Sequence, residues 1–361
     1  MKKILTINSG SSSIKFGLFD MQAQPEKKLF GIIERIGLSN TTIIYHDLVA
    51  DKKGNETIDD ASPIKFFINW LSKYVDVTSI SGIGHRIVHG MKHAEPEIIS
   101  KELIDELNNI SSYDPDHLPQ EIEMIEMFSK QYPKLLQLAC FDTAFHVAMP
   151  RRAKLLPLPR RYDSMGIQRY GFHGLSYAYL IEELVRIAGN GAANGKVILA
   201  HLGSGASLAA VKDGKSIDTS MGFTPASGLV MGTRTGDLDP GVAWFLMQSE
   251  KINAGQFNDL INHQSGLLGI SETSSDMQDL LTQQHADKRA AEAIDLFCYQ
   301  VKKWIGSFTV VLEGLNTLVF AGGIGENSPE VRLRICNGLQ FLGIEIDEKR
   351  NADNNDIISS D

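Results

Sequence analysis

Apolar positions in this chain fall first into short runs. Residues 4–7 (ILTI) are largely apolar, residues 8–13 (NSGSSS) are polar and residues 14–19 turn apolar again, which predicts strand, turn, strand. The same pattern returns at residues 197–213. Laid on residues 4–20, it sets Asn8 on His201, Gly10 on Gly203 and Ser11 on Ser204, and both segments close on an aspartate. Two such hairpins point to a duplicated α/β domain. Between them, residues 64–74, 103–110, 122–128 and 175–187, the last opening after Gly174, space their apolar residues as helices do.

Length agrees with duplication, because 361 residues exceed one ordinary domain of ~100–200. A basic stretch (Arg151, Arg152, Lys154, Arg160, Arg161) punctuated by Pro150, Pro157 and Pro159 reads as a crossing between domains. The expected domains are 1–148 and 149–361. At 43% hydrophobic and 22% charged residues the chain can bury a core. A net charge of −9 argues against a general nucleic-acid or membrane binder, which needs a broad basic face. The basic stretch lacks the aromatic alternation of a nucleic-acid site and reads as solvated charge. No run of about 18 apolar residues appears, and the opening MKKILTI is broken by Asn8, Ser9 and Gly10, so neither a membrane span nor a signal peptide is expected. Cys140, Cys298 and Cys336 are odd in number and far apart, which predicts free thiols in a reducing, cytoplasmic setting.

Several polar residues interrupt apolar segments. In the first hairpin Gly10 permits a tight turn, and backbone N–H groups with the hydroxyls of Ser11, Ser12 and Ser13 can meet one anion, with Lys15 adding charge. A plain polar hairpin tip would read the same way. Arg86, inside ISGIGHRIVHG, reads as an anion clamp, since guanidinium offers a forked donor to carboxylate or phosphate. His85 and His89 flank it; their spacing suits a metal pair on a helix, but the glycine-rich, β-branched context argues for a strand. Asp142 follows the apolar LACF directly, where α/β proteins bind ligands, and reads equally as a helix cap or an acid. His173 lies between Phe172 and Gly174. Arg234 sits in a Gly/Thr/Asp loop too polar to form a core, with Asp237 and Asp239. The run LVFA ends in Gly322, Gly323 and Gly325, then Glu326 and Asn327, which allows close backbone approach to a nucleotide.

Seven of these segments, NSGSSSIKF, GHRIVHG, FDTAFH, YGFHG, HLGSGAS, MGTRTGDLDPG and AGGIGENS, resemble in order the motifs of the acetate and propionate kinase family, and they span nearly the whole chain. The resemblance implies a duplicated ribonuclease H-like α/β fold of the actin/hexokinase/Hsp70 type, with the active-site cleft between two domains. It also implies reversible phosphoryl transfer from ATP to a short carboxylate, with Mg²⁺ or Mn²⁺. Such a transfer asks for alignment and charge neutralisation more than covalent chemistry.

Carried over by motif, Arg86 and Arg234 hold the carboxylate and the moving group, and His173 bonds an equatorial oxygen. Asp142 is the catalytic acidic residue, organising metal or arginine, and His117 lies near the phosphoryl group. Asn8 belongs to metal and phosphates. Ser11, Ser13 and Lys15 form the first phosphate hairpin; His201, Leu202, Gly203, Ser204 and Gly205 form the second. Asp276, Met277 and Gln278 face the nucleoside, with Gly323, Ile324, Gly325, Glu326 and Asn327 opposite. Val88, Phe172 and Pro225 wall the acyl pocket. A homodimer through the second domain is also implied.

Departures from the family pattern carry expectations of their own. Ser204 replaces a common asparagine and keeps a hydrogen bond at changed reach. Asp116 replaces a pocket leucine, so either it points away or the substrate differs, because two carboxylates repel. Met277 and Gln278 replace aromatic and basic residues, which affects nucleotide preference. The family continues past the final residues Ile358, Ser359, Ser360 and Asp361 with a glutamate that helps bind Mg²⁺, so weakened metal use is expected. Two alternatives follow: a propionate or butyrate kinase, or a family member that binds nucleotide with weakened catalysis.

Overall fold

The apolar run at residues 4–7 lies in strand β1 (Lys2–Gly10), and its partner run lies in β2 (Ser13–Met21). In this computed structural model residues 2–10, 13–36, 40–58 and 62–360 are described. Contacts divide the chain into two units, Met1–Ala144 and Phe145–Asp361.

The first unit holds an eight-stranded sheet. After β1 and β2 come β3 (Glu26–Glu34), β4 (Thr42–Asp47), β5 (Lys52–Thr57), β6 (Ile80–Ile87), β7 (Glu97–Ile98) and β8 (Gln137–Phe141), in the order β5-β4-β3-β2-β1-β6-β8-β7. Strands β1 to β5 are antiparallel neighbours, whereas β6 lies parallel to both β1 and β8. Parallel neighbours need crossovers, and between β6 and β8 the chain passes through helices Lys101–Asn109 and Leu118–Gln131; helix Pro63–Tyr74 precedes β6. Ser62 caps it by accepting from the Lys65 N–H at 3.3 Å, and Pro63 occupies the first turn, where its missing N–H costs nothing. Its buried face, Ile64, Phe67, Ile68, Trp70 and Leu71, joins Leu5, Ile7, Phe16 and Leu18 in the core. Each large apolar side chain so buried contributes about 1.5–3 kcal/mol.

The second unit holds four strands: β9 (Lys196–Leu202), β10 (Ala206–Lys212), β11 (Lys215–Thr219) and β12 (Thr317–Ala321), in the order β11-β10-β9-β12. Here too an antiparallel trio, β11-β10-β9, is flanked by a parallel strand, β12. This repeats β3-β2-β1 followed by parallel β6. The hairpin expected at residues 197–213 is therefore the topological equivalent of the first, as a duplicated α/β unit requires. Helix Lys288–Val311 buries Ala293, Ile294, Phe297, Val301, Ile305 and Phe308 along one face.

Helices expected at 64–74, 103–110, 122–128 and 175–187 appear as Pro63–Tyr74, Lys101–Asn109, Leu118–Gln131 and Gly174–Ala193. The basic stretch forms two short helices, Arg151–Lys154 and Arg160–Ser164. Among the described residues no helix is long and apolar enough to cross a membrane, and all three cysteines are free thiols.

Candidate active site

In the first unit, register decides which polar residues meet. β1 pairs with β6 through Ile7↔His85, and β6 pairs with β8 through Arg86↔Cys140 and Ile87↔Phe141. Asn8, Arg86 and Asp142 thus sit at the C-terminal ends of three neighbouring parallel strands, the edge where α/β sheets bind ligands. Arg86 Nη1 donates to Asn8 Oδ1 at 3.0 Å, and Nη2 donates to Asp142 Oδ2 at 2.5 Å. The Asp142 N–H continues the ladder by donating to the Ile87 carbonyl at 2.8 Å. Burial would lower the guanidinium's affinity for its proton, but the Asp142 charge and hydrogen bond outweigh it and push the Arg86 pKa up.

The first hairpin sets Asn8 opposite Lys15 and Gly10 opposite Ser13. Ser11, expected there to meet a phosphate, lies outside the described residues. His117, which precedes helix Leu118–Gln131, engages Asp114 Oδ1 through Nδ1 at 2.8 Å, and its Cδ2 lies 4.0 Å from the Cβ position of a residue replacing Gly10. Asp116 is half-buried. Val88 is buried beside Arg86 in sequence, and both Glu121 carboxyl oxygens accept from its N–H, at 3.1 and 3.2 Å.

His85 and His89 form no metal pair: His85 is buried in β6 with Nε2 bonded to Gln137 Oε1 at 2.7 Å, and burial pushes its pKa down to about 4. Among the described residues no group of three or more His, Cys, Asp or Glu can hold a metal ion. The oxygens gathered around Arg86 come from Asn8 and Asp142. Such a sparse, hard-oxygen set fits a hard divalent metal ion that brings most of its own ligands, not one caged by protein.

In the second unit His173 precedes helix Gly174–Ala193 with a left-handed backbone, φ 60°. Its Nδ1 bonds Ser207 Oγ at 2.8 Å, and Ser207 also bonds the Tyr177 hydroxyl. The His173 ring stacks on His201, centroids 4.2 Å apart, and His201 Nδ1 bonds Ser176 Oγ at 2.8 Å. A Cβ on Gly205 would stand 3.4 Å from His173 Nε2 and 3.8 Å from Arg234 Nη1, so this glycine brings the second hairpin between them. The Arg234 loop is pinned by its backbone: Ser265 N–H to Thr233 O, Leu267 N–H to Met231 O and Leu268 N–H to Gly232 O, at 2.8–3.0 Å.

Strands β9 and β12 end together at His201↔Ala321. Beyond them Gly322, with φ 79°, packs so close to the Leu202 carbonyl that a Cβ would lie 2.6 Å from it. This abuts the turn Leu202 to Gly205, exposed at Ser204, with the short helix Gly322–Asn327. Gly322 N–H donates to Glu326 Oε1, and Asn327 Nδ2 to the Gly323 carbonyl. Ile324 is half-buried and Gly325 buried. Asp276 caps helix Met277–Gln283, accepting from the Gln278 N–H at 2.7 Å; Gln278 is exposed and Met277 buried. Phe172 is buried, with its carbonyl bonded to His146 Nε2 at 3.0 Å, and Pro225 is half-buried.

Sequence reasoning missed the hydroxyls of Ser176, Tyr177 and Ser207, which orient the two stacked histidines, and the buried Glu121. Ser176 and Ser207 lie at the edges of the YGFHG and HLGSGAS segments, which was the available signal.

Paired α/β units, each with a glycine-bearing hairpin, together with a guanidinium fixed at a strand end, agree with a duplicated α/β kinase. The Acetokinase family profile matches residues 3–361, and the chain belongs to that family. The acetate kinase of Halothermothrix orenii is 41% identical, the match covering 98% of this chain and 90% of that protein. For the acetate kinase of Clostridium acetobutylicum the values are 42%, 97% and 89%. Among solved structures, a propionate kinase from Francisella tularensis gives a TM-score of 0.93 at 34% identity, covering 100% of this chain and 94% of that one. The Porphyromonas gingivalis acetate kinase gives 0.86 at 33%, covering 100% and 92%.

Proposed function

We propose that this chain transfers the γ-phosphoryl group of ATP to acetate, reversibly, giving acetyl phosphate and ADP. The observation that carries this reading is the Arg86 guanidinium held between Asn8 and Asp142 at the sheet edge. An acetate oxygen attacks the γ-phosphorus as the bond to the ADP oxygen breaks. Acetate attacks as an anion, so no base is needed, and the protein's work is alignment and charge neutralisation. Arg86 and Arg234 hold the acceptor carboxylate and the moving group. His173 donates from Nε2, on the Gly205 side, to an equatorial oxygen, while Ser207 fixes its Nδ1. His117 serves the same group, and Asp142 keeps Arg86 in place. Asn8 and Asp142 are the protein oxygens that would hold a divalent metal ion such as magnesium arriving with the nucleotide, and that ion would supply neutralisation of phosphate charge.

Ser13 and Lys15 of the first hairpin, and His201, Leu202, Gly203, Ser204 and Gly205 of the second, bind phosphates. Asp276, Met277 and Gln278, with Gly323, Ile324, Gly325, Glu326 and Asn327, form the nucleoside site, and Val88, Phe172 and Pro225 form the acyl wall. The chain acts in the cytoplasm as a homodimer: helix Pro240–Ser249 leaves Trp244 70% and Phe245 65% exposed, apolar area that a second copy would cover.

A second reading, propionate as acceptor, is favoured by the likeness to the Francisella propionate kinase. Acyl phosphate formation, trapped with hydroxylamine, is measured from ATP with acetate, propionate and butyrate in parallel. The highest kcat/KM with acetate supports the proposal. The highest value with propionate moves it to the second reading, and no acyl phosphate with any acid sinks both.

A further inference from the structure

Glu121 is an acidic residue buried to 2% exposure inside the first unit, on helix Leu118–Gln131. Neither the first hairpin nor the Arg86 cluster contains it, yet it reaches the strand that carries Arg86. The ladder between β1 and β6 ends at Ile7↔His85, and β6 itself ends at Ile87. On the β8 side the strand end is held by the Asp142 N–H donating to the Ile87 carbonyl at 2.8 Å. The next backbone group, the Val88 N–H, lies beyond the ladder and donates to both oxygens of Glu121, at 3.1 and 3.2 Å. A buried N–H needs a partner, and here a side chain takes the place of a strand.

We propose that Glu121 is a positioning residue of the acyl-acceptor site, holding the Val88 N–H so that the strand end bearing Arg86 and Val88 keeps the geometry that receives the substrate carboxylate. The inference rests on the acetate kinase reading for the identity of that substrate. A carboxyl in this place has an electrostatic consequence. Arg86 on β6, Asp142 beyond β8 and Asp114 in the turn before the helix are the charges acting on Glu121. Three ionised carboxylates around one guanidinium would repel an incoming acylate. Burial pushes the Glu121 pKa well up, against the pull of Arg86 and the Val88 N–H, and Asp114 and Asp142 push the same way. Because burial disfavours its ionisation, Glu121 holds Val88 while competing less for the Arg86 charge, which is left to Asp142 and to substrate.

The test pairs Glu121→Leu, which keeps bulk but removes the acceptor, with Glu121→Gln, which keeps an acceptor that does not ionise. The expected result is a rise of about tenfold in the KM for acetate with Glu121→Leu, the scale of one unsatisfied buried donor. KM for ATP stays unchanged, and Glu121→Gln restores KM for acetate to within about twofold of wild type, since its amide oxygen still accepts the Val88 N–H. An unchanged KM for acetate in Glu121→Leu overturns the proposal, as do both KM values rising together or no rescue by Gln. Val88 amide exchange is read in parallel by hydrogen–deuterium exchange: protected in wild type and Glu121→Gln, faster in Glu121→Leu. Equal Val88 protection in all three proteins overturns the proposal even if the chain turns over no acylate, and a wild type inactive on every acid sinks the substrate assignment separately.

Discussion

Arg86 and Asp142, 56 positions apart in sequence, meet at 2.5 Å because β6 and β8 are parallel neighbours whose ends coincide. Asp142 is 2% exposed, and the Arg86 guanidinium compensates its buried charge. Asp142→Ala leaves the guanidinium held by Asn8 alone. Breaking such a buried pair costs about 3–5 kcal/mol. The expected outcome is a drop of that order in urea unfolding free energy and a loss of acetyl phosphate formation of at least about a hundredfold. Unfolding curves and turnover measured side by side check it. A variant with wild-type kcat would remove Asp142 from the mechanism.

Arg234 stands in a loop that backbone bonds from Ser265, Leu267 and Leu268 hold in place. Arg234→Ala therefore keeps the fold. If the guanidinium carries charge on the moving phosphoryl group, turnover falls by on the order of 10³-fold, about 4 kcal/mol of transition-state stabilisation. Steady-state kinetics with acetate and ATP decide the matter, with the melting temperature as control. Near-normal turnover would exclude the role.

The fold was legible where local chemistry is strong. Polar turns between apolar runs marked both hairpins, and the matching of Gly10 with Gly203 exposed the duplication later seen as β3-β2-β1-β6 and β11-β10-β9-β12. Arg86 and Asp142 stood out individually, each a polar residue against an apolar strand. Their pairing was hidden, because register is a property of the sheet and not of either strand. Glu121 escaped for a different reason. The apolar pattern suggested a helix from residue 122, whereas the helix starts at Leu118, with Pro119 tolerated in its first turn. Only from that start does Glu121 fall on the buried stripe with Leu118, Ile122, Ile125 and Phe128.

Gly205 offers a steric test of the second unit. An added Cβ would lie 3.4 Å from His173 Nε2 and 3.8 Å from Arg234 Nη1, close contacts but not clashes. Gly205→Ala is expected to fold normally and to crowd the space between these two groups. A displacement of about 1 Å at reacting groups costs up to about a hundredfold in rate. The expected result is kcat lowered by ten- to a hundredfold, about 1.4–2.7 kcal/mol, with an unchanged melting temperature. Full activity in this variant would show that no reacting group passes between His173 and Arg234.

His85 makes stability depend on pH. Buried in β6, it has its pKa lowered to about 4 by desolvation, which outweighs its hydrogen bond to Gln137. In the unfolded chain histidine titrates near about 6.5. Between these values the unfolded state binds the proton and the folded state does not, so the contribution is complete above about pH 6.5 and is lost as pH falls toward 4. A shift of this size corresponds to about 3 kcal/mol. His85→Gln keeps a donor for Gln137 Oε1 but does not titrate. Its unfolding free energy, measured in urea at pH 7 and pH 4.5, is expected to fall less than that of wild type, by about 2–3 kcal/mol, since the carboxylates common to both proteins cancel in the difference. Equal losses in the two proteins would mean that His85 is protonated in the fold at pH 4.5, with water reaching a ring that the structure buries.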